Sequence, residues 1–199
     1  MVSPYIGLDV TDWEETTNIL VNEHPLNTNE IVEVVLDAWN KILTTKIGEV
    51  LLIGDDVFPG PQIMGNYLHE LIPVIFSLKY PNLWKKELIK EDKDMVYIPN
   101  KDYSVEIKTS SNPTNIFGNR SFGQDNSDKN SGKSKSGYYL TINFEKFDTK
   151  NKSYKPKIKL IRFGWIDHWD WRAQKAATGQ QASLDPSVRD KKLILLYSN

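Results

Sequence analysis

The stretch Asp94-Met95-Val96-Tyr97-Ile98-Pro99-Asn100-Lys101-Asp102-Tyr103-Ser104-Val105-Glu106-Ile107-Lys108 decides how this chain folds. Side chains alternate along a strand, so Val105 and Ile107 can face a core while Ser104, Glu106 and Lys108 share the opposite face. Pro99 to Asp102 is turn chemistry, which lets a strand starting at Asp94 pair antiparallel with one ending at Lys108. Directly opposed residues of such a pair point to the same face, so Asp94 must oppose Glu106 or Lys108 to join them. A four-residue loop would set it against Ile107 and aim it at the wrong face. An odd-numbered loop or a bulge is therefore expected. Asp102 lies four residues before Glu106 on the same strand, about 13 Å away at roughly 3.3 Å per residue, too far to share a metal.

Two convergent carboxylates, Asp94 and Glu106, suit a hard cation such as Mg²⁺, which prefers oxygen ligands and keeps several waters. Such a cation lowers the pKa of a bound water and offsets charge building on a phosphate. Lys108 would position that water and stabilise the transition state. Glu70, on the helix before the hairpin, is a further candidate ligand. The same residues also fit an ion pair on a solvated strand face, with Glu70 an exposed helix glutamate. His24 and His69 have no partner at metal-binding spacing and read as structural or surface histidines, and His168, which belongs to a cluster with Trp165, Trp169 and Trp171, is not read as a metal ligand.

Working outward, Thr11-Asp12-Trp13-Glu14 has capping-box spacing and opens a helical stretch ending near Asn22, before Pro25. A second helix starts after Thr28 or Asn29, with Ile31, Val34, Val35, Ala38, Trp39 and Ile42 on one stripe. A third runs from Gln62 to Lys79, with Ile63, Tyr67, Leu71 and Ile75 on one face. Beyond Pro81 come short strands: Met95 to Ile98, Tyr103 to Thr109, Tyr138 to Phe147, Ile158 to Trp165 and Lys192 to Tyr197. Residues 125–137 are rich in Asn, Ser, Lys and Gly and read as a mobile loop. Asp167 to Leu184 reads as a helix weakened by Gly179. The aromatic group Trp165, Trp169 and Trp171 suits a core or a dimer interface better than base stacking. The expected architecture is α+β within the broad α/β class: a mixed central sheet flanked by helices, with N-terminal helices preceding it. The expected organisation is a single domain over 1–199, with a helical part over 1–60 and a catalytic core over 62–199.

With 199 residues and 39% apolar content, the chain can bury one sizeable core. It has no cysteine, which excludes disulfides and thiolate metal sites and is compatible with a reducing cytosol. No apolar run of about 18 residues and no signal-peptide pattern over Met1 to Val10 is present, so a soluble, cytoplasmic protein is expected. The net charge of -1 is unevenly distributed. Residues 1–118 carry 9 Lys/Arg against 18 Asp/Glu, residues 119–162 carry 11 against 4, and residues 163–199 carry 5 against 4. One central basic stretch is the pattern of a protein that presents a positive surface to a polyanion, although solvated strand faces would also produce it.

The arrangement of Asp94 with Glu106-Ile107-Lys108 resembles the PD-(D/E)xK nuclease motif, with Lys93 in place of the proline, a substitution frequent in that superfamily. Val105-Glu106-Ile107-Lys108-Thr109-Ser110-Ser111 and Ile116-Phe117-Gly118-Asn119-Arg120-Ser121 resemble the ScaI-type restriction endonuclease family. So do Ile161-Arg162-Phe163-Gly164-Trp165-Ile166-Asp167-His168 and Thr178-Gly179-Gln180-Gln181. The likeness covers roughly residues 60–197. It implies a restriction-endonuclease-like core and a Mg²⁺-dependent homodimer that cuts both strands of a short palindromic site in double-stranded DNA. It further implies a cognate DNA methyltransferase as functional partner in restriction-modification. Carried onto this chain, the catalytic positions are Asp94, Glu106 and Lys108, with Glu70 a weaker match.

On such a substrate, phosphate contacts position and base contacts specify. Lys129, Lys133 and Lys135 suit phosphates. Asn115, Asn119, Arg120 and Gln124 form one base-reading group and Arg172, Gln174, Gln180 and Gln181 a second, because Arg suits guanine and Asn or Gln suits adenine. For individual residues a turn or surface role is the competing reading. For the whole chain the alternatives are a structure-specific or non-sequence-specific nuclease of the same superfamily and a non-catalytic DNA-binding module.

Overall fold

Helix α1 (Trp13–Asn22) follows a 3-10 turn over Val10–Asp12. The expected capping box does not form: Asp12 is the N-cap without a side-chain bond, and Thr11 Oγ1 donates instead to Asp12 Oδ1 at 3.3 Å. Helix α2 (Thr28–Leu43) starts where it does because Asn27 Oδ1 accepts from the N–H groups of Asn29 and Glu30. Its six stripe residues are all buried. This computed structural model describes residues 2–123, 134–148, 150–151, 153–176 and 179–199.

A small hairpin, β1 (Lys46–Ile47) with β2 (Leu51–Leu52), leads to α3 (Pro61–Lys79). The buried face of α3 is Met64, Leu68, Ile72 and Phe76. The expected row of Ile63, Tyr67, Leu71 and Ile75 is thus one residue out of phase: Ile63 is exposed, and the other three only flank the core. Both rows are apolar at four-residue spacing, so periodicity alone does not choose between them. Among the described residues no helix is long and apolar enough to cross a membrane.

The strands that follow are β3 (Trp84–Lys86), β4 (Met95–Tyr97), β5 (Val105–Ser110), β6 (Phe117–Asn119), β7 (Gly137–Phe144) and β8 (Ile158–Ile166). After them come β9 (Trp171–Ala173), β10 (Gln181–Leu184), the short helix α4 (Pro186–Lys191) and β11 (Leu193–Ser198). Six strands form a mixed sheet in the order β11-β8-β7-β5-β4-β3, parallel at β5–β7 and antiparallel elsewhere. The expected mixed sheet with helices preceding it is therefore present. A second, antiparallel sheet has the order β6-β10-β9.

Strand alternation sorts the two faces of the large sheet. Val105, Ile107, Tyr138, Leu140, Ile142, Ile161, Phe163 and Trp165 pack with α2 and α3 in the main core. On the reverse face Tyr139 packs with Ile116, Ile166, Trp171, Ala182 and Leu193 in a second core beneath the small sheet. The tryptophans are thus split: Trp165 in the first core, Trp171 in the second and Trp169 exposed.

The helix expected over Asp167 to Leu184 is a correction. A capping box at Asp167 and Asp170 does start a turn, but it stops after His168–Asp170. Trp171 then goes extended, and β10 finds a partner on each side, β6 and β9. Those pairings bury Trp171 and Ala182, which an isolated helix would not do. Of the stretch expected to be a mobile loop, residues 125–133 lie outside the described residues. Residues 134–137 belong to the folded body: Lys135 is buried, and Gly137 begins β7.

Candidate active site

Strand β5 lies in the middle of the large sheet, where its neighbours fix its side chains. Pairing with β4 runs through Met95 and Val105, which places Asp94 directly across from Glu106. Residues 96–104, an odd number, intervene, with a 3-10 turn over Lys101–Tyr103 capped by Asn100. The Ile107 N–H donates to Asp94 Oδ2 at 2.6 Å, so the aspartate is tied to β5 by its own carboxylate. Lys108 Nζ donates to Glu106 Oε1 at 2.6 Å. Glu106 is buried, with 3% exposure, and the Lys108 side chain is largely covered. In such surroundings a charge is retained only with partners, which the adjacent ammonium supplies.

Helix α3 approaches β5 closely at Gly65, where an added Cβ would stand 2.6 Å from Thr109 Oγ1. Its next turn delivers His69, whose Nδ1 lies 3.6 Å from Asp94 Oδ2. Glu70, the expected ligand, is exposed, and its carboxylate pairs with Lys86 of β3. The helix thus presents to Asp94 the histidine that sequence spacing left as structural or surface, and the glutamate is occupied elsewhere. One residue is about 100° around a helix, enough to exchange the two.

On the Glu106 face a cavity of about 300 Å³ is lined by Lys90, Glu106, Lys108, Asn119, Phe122 and Lys135, with two serines. Beyond the end of β5 a larger groove of about 530 Å³ runs between α3 and the small sheet. Its walls include Gln62 and Asn66 of α3, Thr109 to Pro113, Asn119 and Gln181. Asn119 is opposite Gln181 in the β6–β10 register, and both are exposed. Two residues from separate base-reading groups are therefore neighbours. Gln62 and Asn66, which line the same groove, were not among the expected residues, although they share the exposed side of an apolar helix at i,i+4 spacing.

The other candidates are placed differently. Asn115 Oδ1 accepts from Arg189 at 2.9 Å, and Arg120 Nη1 donates to the Gly179 carbonyl at 3.1 Å within the small sheet. Gln174 Oε1 accepts from the Gln181 N–H at 3.3 Å, and Arg172 pairs with Asp185 on the exposed side of β9. Gln180 is exposed and hydrogen-bonds Arg120 N–H through its carbonyl. Lys135, expected in a loop, is buried and donates to the Ser121 carbonyl. Gln124, Lys129 and Lys133 lie outside the described residues.

Metal fit follows from the donor set. Among the described residues no group of three or more His, Asp or Glu side chains forms a metal cage. Asp94 and Glu106 offer two carboxylates from adjoining chain segments at the β4–β5 pairing, an oxygen donor set that suits a hard cation that retains water better than it suits zinc.

The sequence matches the ScaI restriction endonuclease family over residues 3–197. A relative, the type II restriction enzyme ScaI of Streptomyces caespitosus, is 44% identical over 196 residues, covering 98% of this chain and 85% of the relative. No solved structure matches. The likeness seen in the sequence strings began near residue 60, whereas the matched region begins at residue 3, so the N-terminal helices are shared as well. With a match across nearly its whole length, the chain belongs to the ScaI restriction endonuclease family.

Proposed function

We propose that this protein is a type II restriction endonuclease that uses Mg²⁺ to hydrolyse both strands of duplex DNA at a short palindromic site. The observation that carries the reading is the Asp94–Glu106 register with Lys108 held on Glu106 at 2.6 Å, in a chain of this family. Asp94 and Glu106 are the residues that would hold the metal. When bound, the cation supplies charge that offsets the phosphate and acidifies an attacking water. Lys108 provides a donor beside the scissile phosphate, in a partly buried site where a fixed positive charge acts more strongly than in water. His69 keeps an imidazole against Asp94 and helps fix its carboxylate. Glu70 has no role in this reading.

Asn119 and Gln181, with Gln62 and Asn66 across the groove, have the side-chain amides that read adenine bidentately. Arg172, exposed on β9, and Lys90, at the cavity, suit phosphate contacts. A palindromic site calls for two copies related by a two-fold axis, so the active form is a homodimer. Such an enzyme works beside a methyltransferase that protects the same sites.

The test is a digest of plasmids carrying the common short palindromes, with Mg²⁺ or with EDTA, beside Lys108→Ala. Discrete Mg²⁺-dependent fragments are expected, with cleavage by the variant lowered by at least roughly a hundredfold while DNA binding persists. Continuous smears would mean a nuclease without sequence specificity. Intact plasmids that still bind the protein would leave only the DNA-binding module.

A further inference from the structure

Phe122 lies in the one-turn segment Arg120–Gly123 that follows β6, at the start of the basic stretch. Three contacts with the small sheet hold the segment, two of them on the ring. The ring meets Trp171 edge-on, with centroids 5.3 Å apart at 68°. Gly118 is tucked against both rings: an added Cβ there would stand 3.2 Å from Phe122 Cγ and 3.3 Å from Trp171 Cζ3. Gly123 lies against β9 so closely that its Cβ would meet Ala173 N at 2.3 Å. The same ring carries two ammonium groups, Lys108 Nζ at 4.7 Å from its centroid and Lys135 Nζ at 5.3 Å.

Lysine has a long, flexible stem, so a catalytic ammonium needs something to hold it in one place. Glu106 supplies one tether. An aromatic face supplies another, because its quadrupole attracts a cation and a ring has few rotamers to lose.

We propose that Phe122 is a positioning residue for Lys108: its ring seats the ammonium at Glu106. Because the ring rests on Gly118 of β6 and Trp171 of β9, it also links the small sheet, in which β6 carries Asn119 and the neighbouring β10 carries Gln181, to the catalytic lysine. The inference rests on the proposed function for the role of Lys108, and on geometry alone for the contact. It implies that displacement of the small sheet by a mismatched site unseats Lys108, coupling base reading to cleavage.

The experiment compares Phe122→Leu, which keeps an apolar side chain and loses the ring, with Phe122→Tyr, which keeps the ring. In Phe122→Leu, kcat on a cleaved duplex is expected to fall about 3- to 30-fold, the range a cation–π contact supports, with KM and metal-free DNA affinity within about twofold of wild type. Phe122→Tyr restores the rate. Independently of activity, the Lys108 Hε protons of the wild type resonate upfield under the ring, lose that shift in the Leu variant and retain it in the Tyr variant. An unshifted Lys108 in the wild type, an unchanged kcat in Phe122→Leu, or a rise in KM at constant kcat overturns the proposal. Failure of the wild type to cleave any duplex, with the ring shift present, would refute the proposed function and leave the contact standing.

Discussion

His24 is held between two backbone groups, and the pair fixes its tautomer. Leu26 N–H donates to Nδ1 at 3.1 Å, so Nε2 carries the proton and donates to the Tyr103 carbonyl at 3.0 Å. Burial among the rings of Trp84, Tyr103, Tyr138 and Phe163 pulls the imidazole down to about 4, only partly opposed by the Tyr103 bond. A depressed folded-state pKa means that the unfolded chain binds the extra proton first. Stability from this residue is therefore present above about 6.5 and is lost as pH falls towards 4, by about 3 kcal/mol in all. Urea unfolding at pH 7 and pH 4.5 should show the drop, and His24→Gln should flatten this part of the slope; an equal slope in the variant would assign the acid sensitivity to carboxylates. The sequence marked His24 as structural or surface, and burial settles it as structural. It gave His69 the same reading, yet His69 stands 3.6 Å from Asp94, because the phase of α3 relative to β5 depends on where Gly65 lets the two elements touch.

Elements with a distinct apolar pattern were the legible ones. The stripe of α2 and the alternation of β5 follow from spacing, and β7, β8 and β11 from short runs rich in β-branched, aromatic and other apolar residues. The small sheet was not legible: Phe117-Gly118-Asn119 and Gln181-Ala182-Ser183-Leu184 have little strand character until each supplies the other's hydrogen bonds. The edge pairing of β8 with β11 also depends on one residue, Gly164. A Cβ there would stand 2.1 Å from the Lys192 carbonyl, which is backbone and cannot turn away. Gly164→Ala should force the strands apart, lowering stability by about 2 kcal/mol or more and raising amide exchange along Leu193–Ser198 first. Exchange rates matching the wild type there would show that the strands shift without separating.

Across the whole molecule, Lys192 joins parts of the chain that are far apart in sequence. The residue is 1% exposed, and its ammonium donates to Asp167 Oδ2 at 3.1 Å and to Asp170 Oδ2 at 2.9 Å and lies over the rings of Tyr5 and Trp13 at 4.2 and 4.3 Å. Ser3 donates to the same Asp167 oxygen at 2.8 Å. Burial pushes the Asp170 carboxyl above its usual range, and Lys192 draws it back. Lys192→Met leaves two buried carboxylates without their cation and should cost about 3 to 5 kcal/mol in denaturant unfolding. A loss below about 1 kcal/mol would mean that the site admits water or takes up protons readily. Nothing in the local sequence singled out this cluster, since an Asp, a Lys and an N-terminal Ser signal burial only once the chain brings them together. The sequence by itself determined strand β5, the aspartate that precedes its partner strand and the need for an odd loop or a bulge between them, because β-alternation and antiparallel register are local rules that a fifteen-residue stretch can obey. Only the tertiary structure decided which α3 side chain meets Asp94, which amides line the groove and which charges are buried. Those depend on the angle and depth at which separate elements pack, set by contacts such as Gly65 on Thr109 and Phe122 on Trp171 that no single segment encodes.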